Sequence, residues 1–406
     1  MTQTQLLIEG RDRLEPAGEF RDGVEAFVLR VPETIPQLGY ASHQFFRYYG
    51  KFPSVVGREI VARFLPSGGT VLDFYAGSGT TLVEAQIAGC RSFGIDINPL
   101  AVLASNVKTS YYDYDHLREV FSAVSVNAPR MAPAIPSRMA PARLAKWFTP
   151  DAARDLGRLR AALLEVEPGL ARDFLTTAFL AVIRRASNAY DGEVRPHINP
   201  NKRPRPPLAA FAKKFTDMMR GLQELDALRP AGIPSRAVIG DNADMNAYRA
   251  CTQPVNLAVA HPPYLNSFDY LPVFSLELAW SEEFPEIWLD WDQSSIRDLE
   301  HRAWPATSDG LRAEYYRRFH ASVEAARTAL ATGGVLAVVI GDATIRGRLE
   351  PVHKLFWEQL EAQGLEPLEI WFRTTHYGIG KYAYRRRADY HGDAEKRDAI
   401  MFFRAA

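Results

Sequence analysis

The chain has 406 residues, of which 47% are apolar and 24% are charged, and its 48 basic side chains balance its 48 acidic ones. This composition excludes wholesale disorder, and the zero net charge excludes a polycation of the histone type. The two cysteines, Cys90 and Cys251, exclude a disulfide framework and a four-cysteine zinc site. They are typical of a reducing compartment, so we expect a cytoplasmic protein. We find neither a signal peptide nor an apolar run of the ~18 residues that cross a membrane, and we expect no membrane partner.

The first part of the chain predicts the beginning of a parallel sheet. Residues 1–44 form an N-terminal extension with one predicted strand, and a helix is predicted after Pro53. A buried strand at 70–75 is followed by a glycine-containing turn and a helix at 81–89, and a second strand follows at 91–97. This order, with short connections, is typical of parallel strands joined by helical crossovers.

The later part of the chain predicts a helical insertion and then a return to strands. Residues 113–232 have mainly helical periodicity, with two proline-rich breaks. Among the strands that follow, 365–373 and 397–404 are predicted to form a closing antiparallel pair. We therefore predict an α/β fold with a Rossmann-like, mostly parallel sheet, in which 45–112 and 233–406 form one domain around the insertion.

Two glycines stand between the first predicted strand of this sheet and its helix. Gly77 and Gly79 permit a sharp turn and the close approach of a ligand, and the following helix offers unpaired N–H groups to a carboxylate or phosphate. Asp96 ends the next strand, where an acidic residue can accept hydrogen bonds from ribose hydroxyls. A glycine pair alone is also typical of a purely structural turn. Leu82 replaces the third glycine of the dinucleotide pattern, which favours a mononucleoside cofactor such as S-adenosylmethionine over NAD.

A second motif follows the predicted buried strand at 255–260, where the chain reads His261, Pro262, Pro263 and Tyr264. Ligands of open α/β sheets lie at the carboxyl ends of the strands, so this loop is predicted on the same side of the sheet as the glycine turn. The prolines stiffen the loop and remove two donors, and Tyr264 offers a face on which a base can stack. In isolation the same residues would favour a stiffened turn with a packing tyrosine. After the glycine turn they favour a catalytic loop.

These motifs together resemble the DNA amino-methyltransferases, which methylate the exocyclic amine of adenine or cytosine. DFYAGSGTT (73–81) is similar to the cofactor motif of that family, and KFPSVVGREIV (51–61) is similar to its additional cofactor-proximal segment. HPPY (261–264) is similar to its catalytic tetrapeptide, although His261 stands where Asp, Asn or Ser is usual. The resemblance covers about 45–110 and 235–404. It implies a methyltransferase sheet, S-adenosylmethionine as the cofactor, a DNA substrate and a target-recognition region in the insertion.

The motif positions and the resemblance assign two sets of candidate site residues. The catalytic set is His261, Pro262, Pro263 and Tyr264. The cofactor-binding set is Lys51, Phe52, Asp73, Tyr75, Ala76, Gly77, Gly79, Thr80, Thr81, Asp96, Ile97, Asp241 and Asn242. An alternative for Asp241 is that its carboxylate only caps the turn after its strand. The nine histidines show no metal-ligand spacing, so we predict no metal site.

The catalytic set has a mechanism that follows from the chemistry of an exocyclic amine. Its lone pair is delocalised into the ring, so catalysis needs acceptors for the two N–H bonds as positive charge develops on the nitrogen. We expect the Pro262 carbonyl to be one acceptor and a neutral His261 to be the other. With an unperturbed pKa of about 6.5 for His261, activity would fall as the pH drops through that value. A base within a duplex would have to flip out to reach this loop.

Two basic segments are candidates for contact with nucleic acid. Between Val194 and Thr216 there are six lysines or arginines and no acid, and a second segment at 375–391 mixes arginines with tyrosines. Such runs are often solvated faces, but this mixture also suits phosphate contact and base stacking. The candidate residues are Lys202, Arg203, Arg205, Lys381, Tyr382, Arg385, Arg386 and Arg387.

Alternatives remain open for the reaction. The resemblance favours cytosine N4 as the target because His261, like Ser and unlike Asp, carries no negative charge at neutral pH, and adenine N6 is the alternative. An RNA amino-methyltransferase is a further hypothesis, since a similar PPY loop serves some tRNA guanine-N2 enzymes. Another hypothesis is a regulator that binds the cofactor and holds nucleic acid without methylating it. The resemblance also points to a cognate restriction endonuclease as a partner and leaves the oligomeric state open.

Overall fold

The computed structural model describes residues 13–265, 270–288, 308–345, 348–374 and 397–405. The strands of these residues belong to one large sheet and one small hairpin. They are β1 (Leu14–Arg21), β2 (Val24–Leu29), β3 (Thr70–Asp73), β4 (Arg91–Asp96), β5 (Ser235–Ile239), β6 (Val255–Ala260), β7 (Leu330–Gly341), β8 (Ala343–Ile345), β9 (Arg348–Glu350), β10 (Glu366–Thr374) and β11 (Arg397–Arg404).

The helices of the described residues connect these strands and form the insertion. They are α1 (Ile35–Leu38), α2 (Ser54–Phe64), α3 (Thr80–Ile87), α4 (Pro99–Thr109), α5 (Tyr114–Asn127), α6 (Pro141–Trp147), α7 (Pro150–Leu164), α8 (Leu170–Ala186), α9 (Pro207–Leu228), α10 (Tyr270–Val273), α11 (Ser275–Trp280), α12 (Pro285–Trp288), α13 (Ser308–Arg327) and α14 (Val352–Ala362). Short 3₁₀ turns lie at Ala41–Gln44, Ala128–Arg130 and Met245–Tyr248. None of the described helices is both long and apolar enough to cross a membrane.

The large sheet has the strand order β1-β2-β10-β11-β7-β6-β3-β4-β5. Five neighbouring strands, β7, β6, β3, β4 and β5, pair in parallel. β11 is antiparallel to both β7 and β10. The prediction of an α/β fold with a Rossmann-like, mostly parallel sheet, an antiparallel closing hairpin and a helical insertion is therefore confirmed. Every residue of β3 is buried, as expected of a strand covered by helices on both faces.

The N-terminal strands extend this sheet beyond the closing hairpin. β2 pairs in parallel with β10, and β1 pairs antiparallel with β2 through two irregular positions. The sequence predicts β2 but not β1, because the residues of β1 are largely exposed and lack apolar alternation. The β8–β9 hairpin is also not predicted, since three-residue strands carry too little periodicity.

The insertion helices share one hydrophobic core with segments that border the parallel sheet. Apolar side chains of α5 to α9 pack together with those of α4, with Phe45 and Tyr48, and with the stretch from Leu271 to Ile287. Phe45 and Tyr48 precede the glycine turn in the chain, and the stretch from Leu271 to Ile287 follows the HPPY loop. The packing therefore fixes the insertion against the parts of the chain that surround the predicted site.

The parallel strands also explain why the predicted motifs meet. The glycine turn follows β3, Asp96 ends β4, Asp241 follows β5 and His261 follows β6. These four strands are adjacent and parallel, so their carboxyl ends form one edge of the sheet.

Candidate active site

One cleft at this edge brings most of the predicted site residues together. The predicted cofactor-binding residues that line it are Lys51, Phe52, Asp73, Tyr75, Ala76, Gly77, Thr80, Asp96, Ile97, Asp241 and Asn242. His261, Pro262 and Pro263 line the same cleft. Gly79, Thr81 and Tyr264 are not among the residues that line it.

The turn after β3 requires both of its glycines. Gly77 and Gly79 have φ angles of 50° and 78°, a region that favours glycine. A Cβ atom on Gly79 would lie 3.0 Å from the Cα atom of Ser105, and one on Gly77 would lie 3.2 Å from Cε1 of Tyr48. The turn therefore combines an unusual backbone conformation with close packing against α4.

A Gly79→Ala variant is expected to lose more stability than an alanine substitution at a glycine that has a similar backbone conformation but no close neighbours. Gly232 is the matched control, since its φ is 73° and a Cβ there would meet nothing within 4 Å. We expect Gly232→Ala to lower the free energy of unfolding by about 1 kcal/mol, from backbone strain alone. Gly79→Ala should lower it by about 2–4 kcal/mol, because it adds overpacking. Denaturant unfolding checks this, and equal losses in the two variants would contradict the close packing of the turn.

The glycine turn is held from behind by two residues that the sequence analysis did not identify. The Ser105 hydroxyl donates to the Gly77 carbonyl oxygen at 2.9 Å. The Lys108 ammonium donates to the Ser78 carbonyl at 2.6 Å and to the Ser78 hydroxyl oxygen at 3.0 Å. Ser105 and Lys108 are three residues apart on α4, and so they occupy one face of that helix. The only hint of this role in the sequence was that both side chains are polar within a mostly apolar helix.

Asp96 joins the glycine turn to the end of β4. One carboxylate oxygen accepts the Gly77 N–H at 2.7 Å, and the other accepts the Asn98 N–H at 2.8 Å. Burial raises the pKa of Asp96 to about 6, against the opposing effect of these backbone donors. Each carboxylate oxygen has a second lone pair, so Asp96 can accept further hydrogen bonds in the cleft.

Asp73 supports the turn from within the protein. Its side chain is buried, and one carboxylate oxygen accepts the Tyr75 N–H at 3.0 Å. Burial raises the pKa of Asp73 to about 7.

The loop after β5 forms the opposite wall of the cleft. The Asn242 side-chain amide donates to the Phe74 carbonyl at 2.7 Å, which ties this loop to the end of β3. One carboxylate oxygen of Asp241 accepts the Ala243 N–H at 2.9 Å, and the other lies 4.0 Å from a guanidinium nitrogen of Arg318. Asp241 therefore caps its own turn, as the structural alternative expects, and also lines the cleft.

His261 lies in a largely apolar setting at the end of β6. Its ring packs edge-on against Phe52, with ring centres 5.1 Å apart, and its Nε2 atom lies 3.4 Å from the Tyr264 hydroxyl oxygen. Burial, together with the smaller effect of the nearby charge of Arg373, lowers the pKa of His261 to about 3. The sequence-based expectation of an acid limb near pH 6.5 is thus revised, because this imidazole is neutral throughout the pH range in which the protein would work.

The two proline carbonyls of the HPPY loop differ in their partners. The Tyr315 hydroxyl donates to the Pro263 carbonyl at 2.8 Å. Among the described residues, no donor lies within hydrogen-bond distance of the Pro262 carbonyl. The Pro262 carbonyl is therefore available as an acceptor in the cleft.

Tyr264 lies elsewhere than the stacking role expects. Its ring packs against Gly341, where a Cβ atom would come within 2.7 Å of Cε2. Instead, Tyr48 and Tyr270 line the cleft as a stacked pair with ring centres 5.3 Å apart and an interplanar angle of 19°. The signal for Tyr48 was the aromatic run at 45–49, whereas its pairing with Tyr270 depends on contacts between distant parts of the chain.

The predicted nucleic-acid residues divide into three groups. The Lys202 ammonium is bound internally, at 2.7 Å from the Arg184 carbonyl, 2.6 Å from the Ala189 carbonyl and 2.7 Å from an Asp191 carboxylate oxygen. Arg203 and Arg205 are exposed. The remaining candidates, Lys381, Tyr382, Arg385, Arg386 and Arg387, lie outside the described residues.

The segment that leads to these arginines is hydrogen-bonded to the residues on either side of Tyr48. Arg47 donates to the Asp191 carbonyl at 3.2 Å, and the Tyr49 hydroxyl donates to the Glu193 carbonyl at 2.5 Å. Tyr48, which lies between these two residues in the chain, lines the cleft.

Two observations bear on whether a nucleoside cofactor with a carboxylate fits here. The Thr80 hydroxyl is buried without a hydrogen-bond partner and lines the cleft at the N-terminus of α3, where the first N–H groups are also unpaired. Gly77 and Gly79 contribute no side chain to this helix end, and Ser78 between them lines the cleft. Both observations fit an anionic ligand group at the N-terminus of α3. No group of three His, Cys, Asp or Glu side chains in the described parts of the chain is arranged to hold a metal ion.

Comparison with known proteins relates this site to DNA methylation. Residues 32–106 match the family described as DNA methylase. The type II methyltransferase M.MjaII of Methanocaldococcus jannaschii is 36% identical over 78 residues, 19% of this chain and 15% of that protein. The type II methyltransferase M.BsoBI of Geobacillus stearothermophilus is 36% identical over 74 residues, 18% of this chain and 14% of that protein. The matched region thus spans about a seventh of each relative.

Solved structures resemble the chain only distantly. The rRNA methyltransferase aviRa from Streptomyces viridochromogenes is 12% identical with a TM-score of 0.34, and the alignment covers 87% of this chain and 86% of that one. TrmN from Thermus thermophilus is 10% identical with a TM-score of 0.29, covering 87% of this chain and 49% of that one. The fold assignment therefore depends on the strand order and pairing of the sheet itself.

Proposed function

Because the resemblance to DNA amino-methyltransferases is confirmed for residues 32–106, we propose that the chain methylates DNA. In this proposal a methyl group passes from S-adenosylmethionine to the exocyclic amine of a flipped base, with cytosine N4 favoured over adenine N6. The observation that carries the proposal is the single cleft that contains the glycine turn, Asp96 and the HPPY loop. A cofactor site and an acceptor loop on one cleft suit a direct transfer, in which positioning supplies much of the rate.

The residues on the glycine-turn side of the cleft would each bind a different part of the cofactor. When bound, S-adenosylmethionine supplies an electrophilic methyl group on a positively charged sulfur. Asp96 would accept hydrogen bonds from the ribose hydroxyls, and the loop with Asp241 and Asn242 would meet the adenine. The N-terminus of α3 and the Thr80 hydroxyl would donate to the carboxylate.

The acceptor side would bind the target amine through two atoms. The Pro262 carbonyl accepts one N–H, since no described donor occupies it. The neutral His261 imidazole accepts the other through one unprotonated nitrogen. We assign the proton to Nε2, which then donates to the Tyr264 hydroxyl and leaves the Nδ1 lone pair as the acceptor. Both acceptors are fixed before the reaction and stabilise the positive charge that develops on the amine.

The stacking surface for the base is better supplied by Tyr270 than by Tyr264. Tyr270 lines the cleft and is braced by Tyr48, whereas the Tyr264 ring packs against Gly341. Tyr264 then acts as a positioning residue for the His261 ring. In this proposal a flipped base would lie between the HPPY loop and Tyr270.

The base is tested by digesting DNA that the protein has methylated and separating the nucleosides by mass. We expect N4-methylcytosine, because neutral His261 resembles the Ser of the cytosine-type loop more than Asp. N6-methyladenine without N4-methylcytosine would overturn the choice of base. The absence of any methylated nucleoside, with cofactor bound and a range of DNA sequences supplied, would overturn the proposed function.

We further propose the insertion at 113–232 as the target-recognition region and its exposed arginines as phosphate contacts. An Arg203→Gln, Arg205→Gln double variant should flatten the dependence of DNA affinity on salt by about 0.9 log units per lost contact. The control is an Arg118→Gln, Arg220→Gln double variant, since both arginines are exposed on the insertion and face acids three residues away, Asp115 and Asp217. Fluorescence anisotropy over a salt series checks this. An unchanged slope in the first variant, or equal changes in both, would show that Arg203 and Arg205 are only solvated.

The names of the two relatives suggest a biological setting. Both are called type II methyltransferases, and we include a cognate restriction endonuclease in the proposal as the partner whose cleavage the methylation would prevent.

A further inference from the structure

A buried lysine lies directly behind the cofactor turn. Lys108 has no exposed surface, and its ammonium contacts only the carbonyl and hydroxyl oxygens of Ser78 at hydrogen-bond distance. In the described parts of the chain, no carboxylate forms an ion pair with it. A buried charge without a counter-ion is strongly unfavourable unless something compensates it.

The charges around Lys108 do not provide that compensation. Burial lowers the pKa of Lys108, and the positive charges of Lys51 and Lys214 lower it further. The buried acid nearby, Glu84, is already bound by its own partners, Arg58, His43 and Tyr40. The protonated form of Lys108 is therefore disfavoured in the free protein, and a negative group placed near it would favour that form.

The front of the same turn has unsatisfied donors. The first N–H groups of α3 have no partners within the helix, and the buried Thr80 hydroxyl has none and lines the cleft. The dipole of α3 adds partial positive charge at this end. A lysine behind the turn whose charge lacks a counter-ion, and open donors in front of the turn, both favour one negative group in the cleft beside Ser78 and Thr80.

We propose that Lys108 is a positioning residue that selects the cofactor through its carboxylate. The inference builds on the proposed cofactor and adds the residue that distinguishes a ligand with a carboxylate from the same ligand without it. Lys108 acts through Ser78 and does not itself touch the ligand: its bonds hold the turn in the conformation that exposes the α3 donors. Its charge supplies the field that a carboxylate neutralises. In the low-dielectric interior this field is screened less than in water.

The test compares two ligands that differ only in the carboxylate. S-adenosylhomocysteine and its decarboxylated analogue are titrated calorimetrically into the wild-type chain and into Lys108→Met, which keeps the side-chain length and removes the charge. We expect the wild type to prefer S-adenosylhomocysteine by at least about 10-fold. In Lys108→Met the affinity for S-adenosylhomocysteine should fall by about 10- to 100-fold, while that for the analogue changes by less than about threefold. Lys108→Arg, which keeps the charge, should retain the preference.

Two controls separate this role from a structural one. Ser105→Ala removes the bond to the Gly77 carbonyl without changing any charge, so it should weaken both ligands by the same factor. Equal weakening of both ligands in Lys108→Met would show that Lys108 only braces the turn and would overturn the proposal. If that variant does not fold, a wild-type preference below about threefold overturns it without any variant.

The inference and the proposed function fail in different ways. A chain that methylates DNA but does not discriminate the two ligands loses only the role of Lys108. A chain that discriminates them as expected but methylates no base loses only the proposed reaction.

Discussion

A His261→Ala variant is expected to lose about 100- to 1,000-fold of the rate of methyl transfer while its affinity for S-adenosylmethionine changes by less than about threefold. In the proposed reaction the imidazole is one of two fixed acceptors for the target amine, and its removal would leave the Pro262 carbonyl alone. His261 also packs against Phe52 and Tyr264, so the variant should be checked for native circular dichroism. Single-turnover kinetics measures the loss, and a rate within about threefold of the wild type would remove His261 from the mechanism.

His261→Ser is the matched variant, because a hydroxyl can also accept a hydrogen bond. It should retain most of the activity that His261→Ala loses. Since the pKa of His261 is lowered to about 3, the imidazole is protonated only below that pH. We therefore expect the wild type and the Ser variant to have the same pH profile between about 5 and 8. An acid limb in this range that disappears in the Ser variant would contradict a neutral His261.

An Asp96→Ala variant is expected to bind S-adenosylmethionine about 10- to 100-fold more weakly than the wild type. The change removes the proposed acceptors for the ribose and also the acceptors of the Gly77 and Asn98 N–H groups that order the turn. Asp241→Ala should have a smaller effect, since the Asp241 carboxylate already caps its own turn. Calorimetry on folded variants checks both, and unchanged affinity in Asp96→Ala would contradict the ribose assignment.

The pH dependence of cofactor binding follows from the same carboxylate. Burial raises the pKa of Asp96 to about 6 in the free protein, and hydrogen bonds from ribose hydroxyls favour the ionised form. Cofactor affinity should therefore be constant above about pH 7 and fall as the pH drops below about 6, because protonation removes acceptors. Asp96→Asn, which does not titrate, should lack this fall. An identical pH dependence in the Asn variant would assign the fall to another group.

The elements that the sequence predicts well are those with local signals. The helix from Pro99 and the strand at 397–404 occur with the predicted bounds, because proline at a helix start and apolar β-forming runs act within a few residues. Gly77, Gly79 and Asp96 were predictable because the order of parallel strands forces their carboxyl ends to one edge. The residues that form the turn and the order of the strands can both be read from the sequence.

The residues that the sequence did not predict depend on distant contacts. Ser105 and Lys108 acquire their roles only when α4 packs behind the glycine turn. The residue types at Tyr264 and Lys202 suit base stacking and phosphate contact, but Gly341 and the Arg184 carbonyl, from other parts of the chain, determine where they lie. Arg318 lines the cleft from α13. The sequence did not predict this, because periodicity shows that a helix is amphipathic but does not show which element the helix will pack against.

Transfer of a labelled methyl group from S-adenosylmethionine to DNA, with tRNA as the competing acceptor, tests the central claim most directly. Both nucleic acids are supplied in one reaction and separated by nuclease digestion, with His261→Ala as the control for loss of catalysis. We predict label in the DNA, none in the tRNA, and almost none with His261→Ala. Label in the tRNA alone would contradict DNA as the substrate, and no label in either, with the cofactor bound, would contradict methyl transfer.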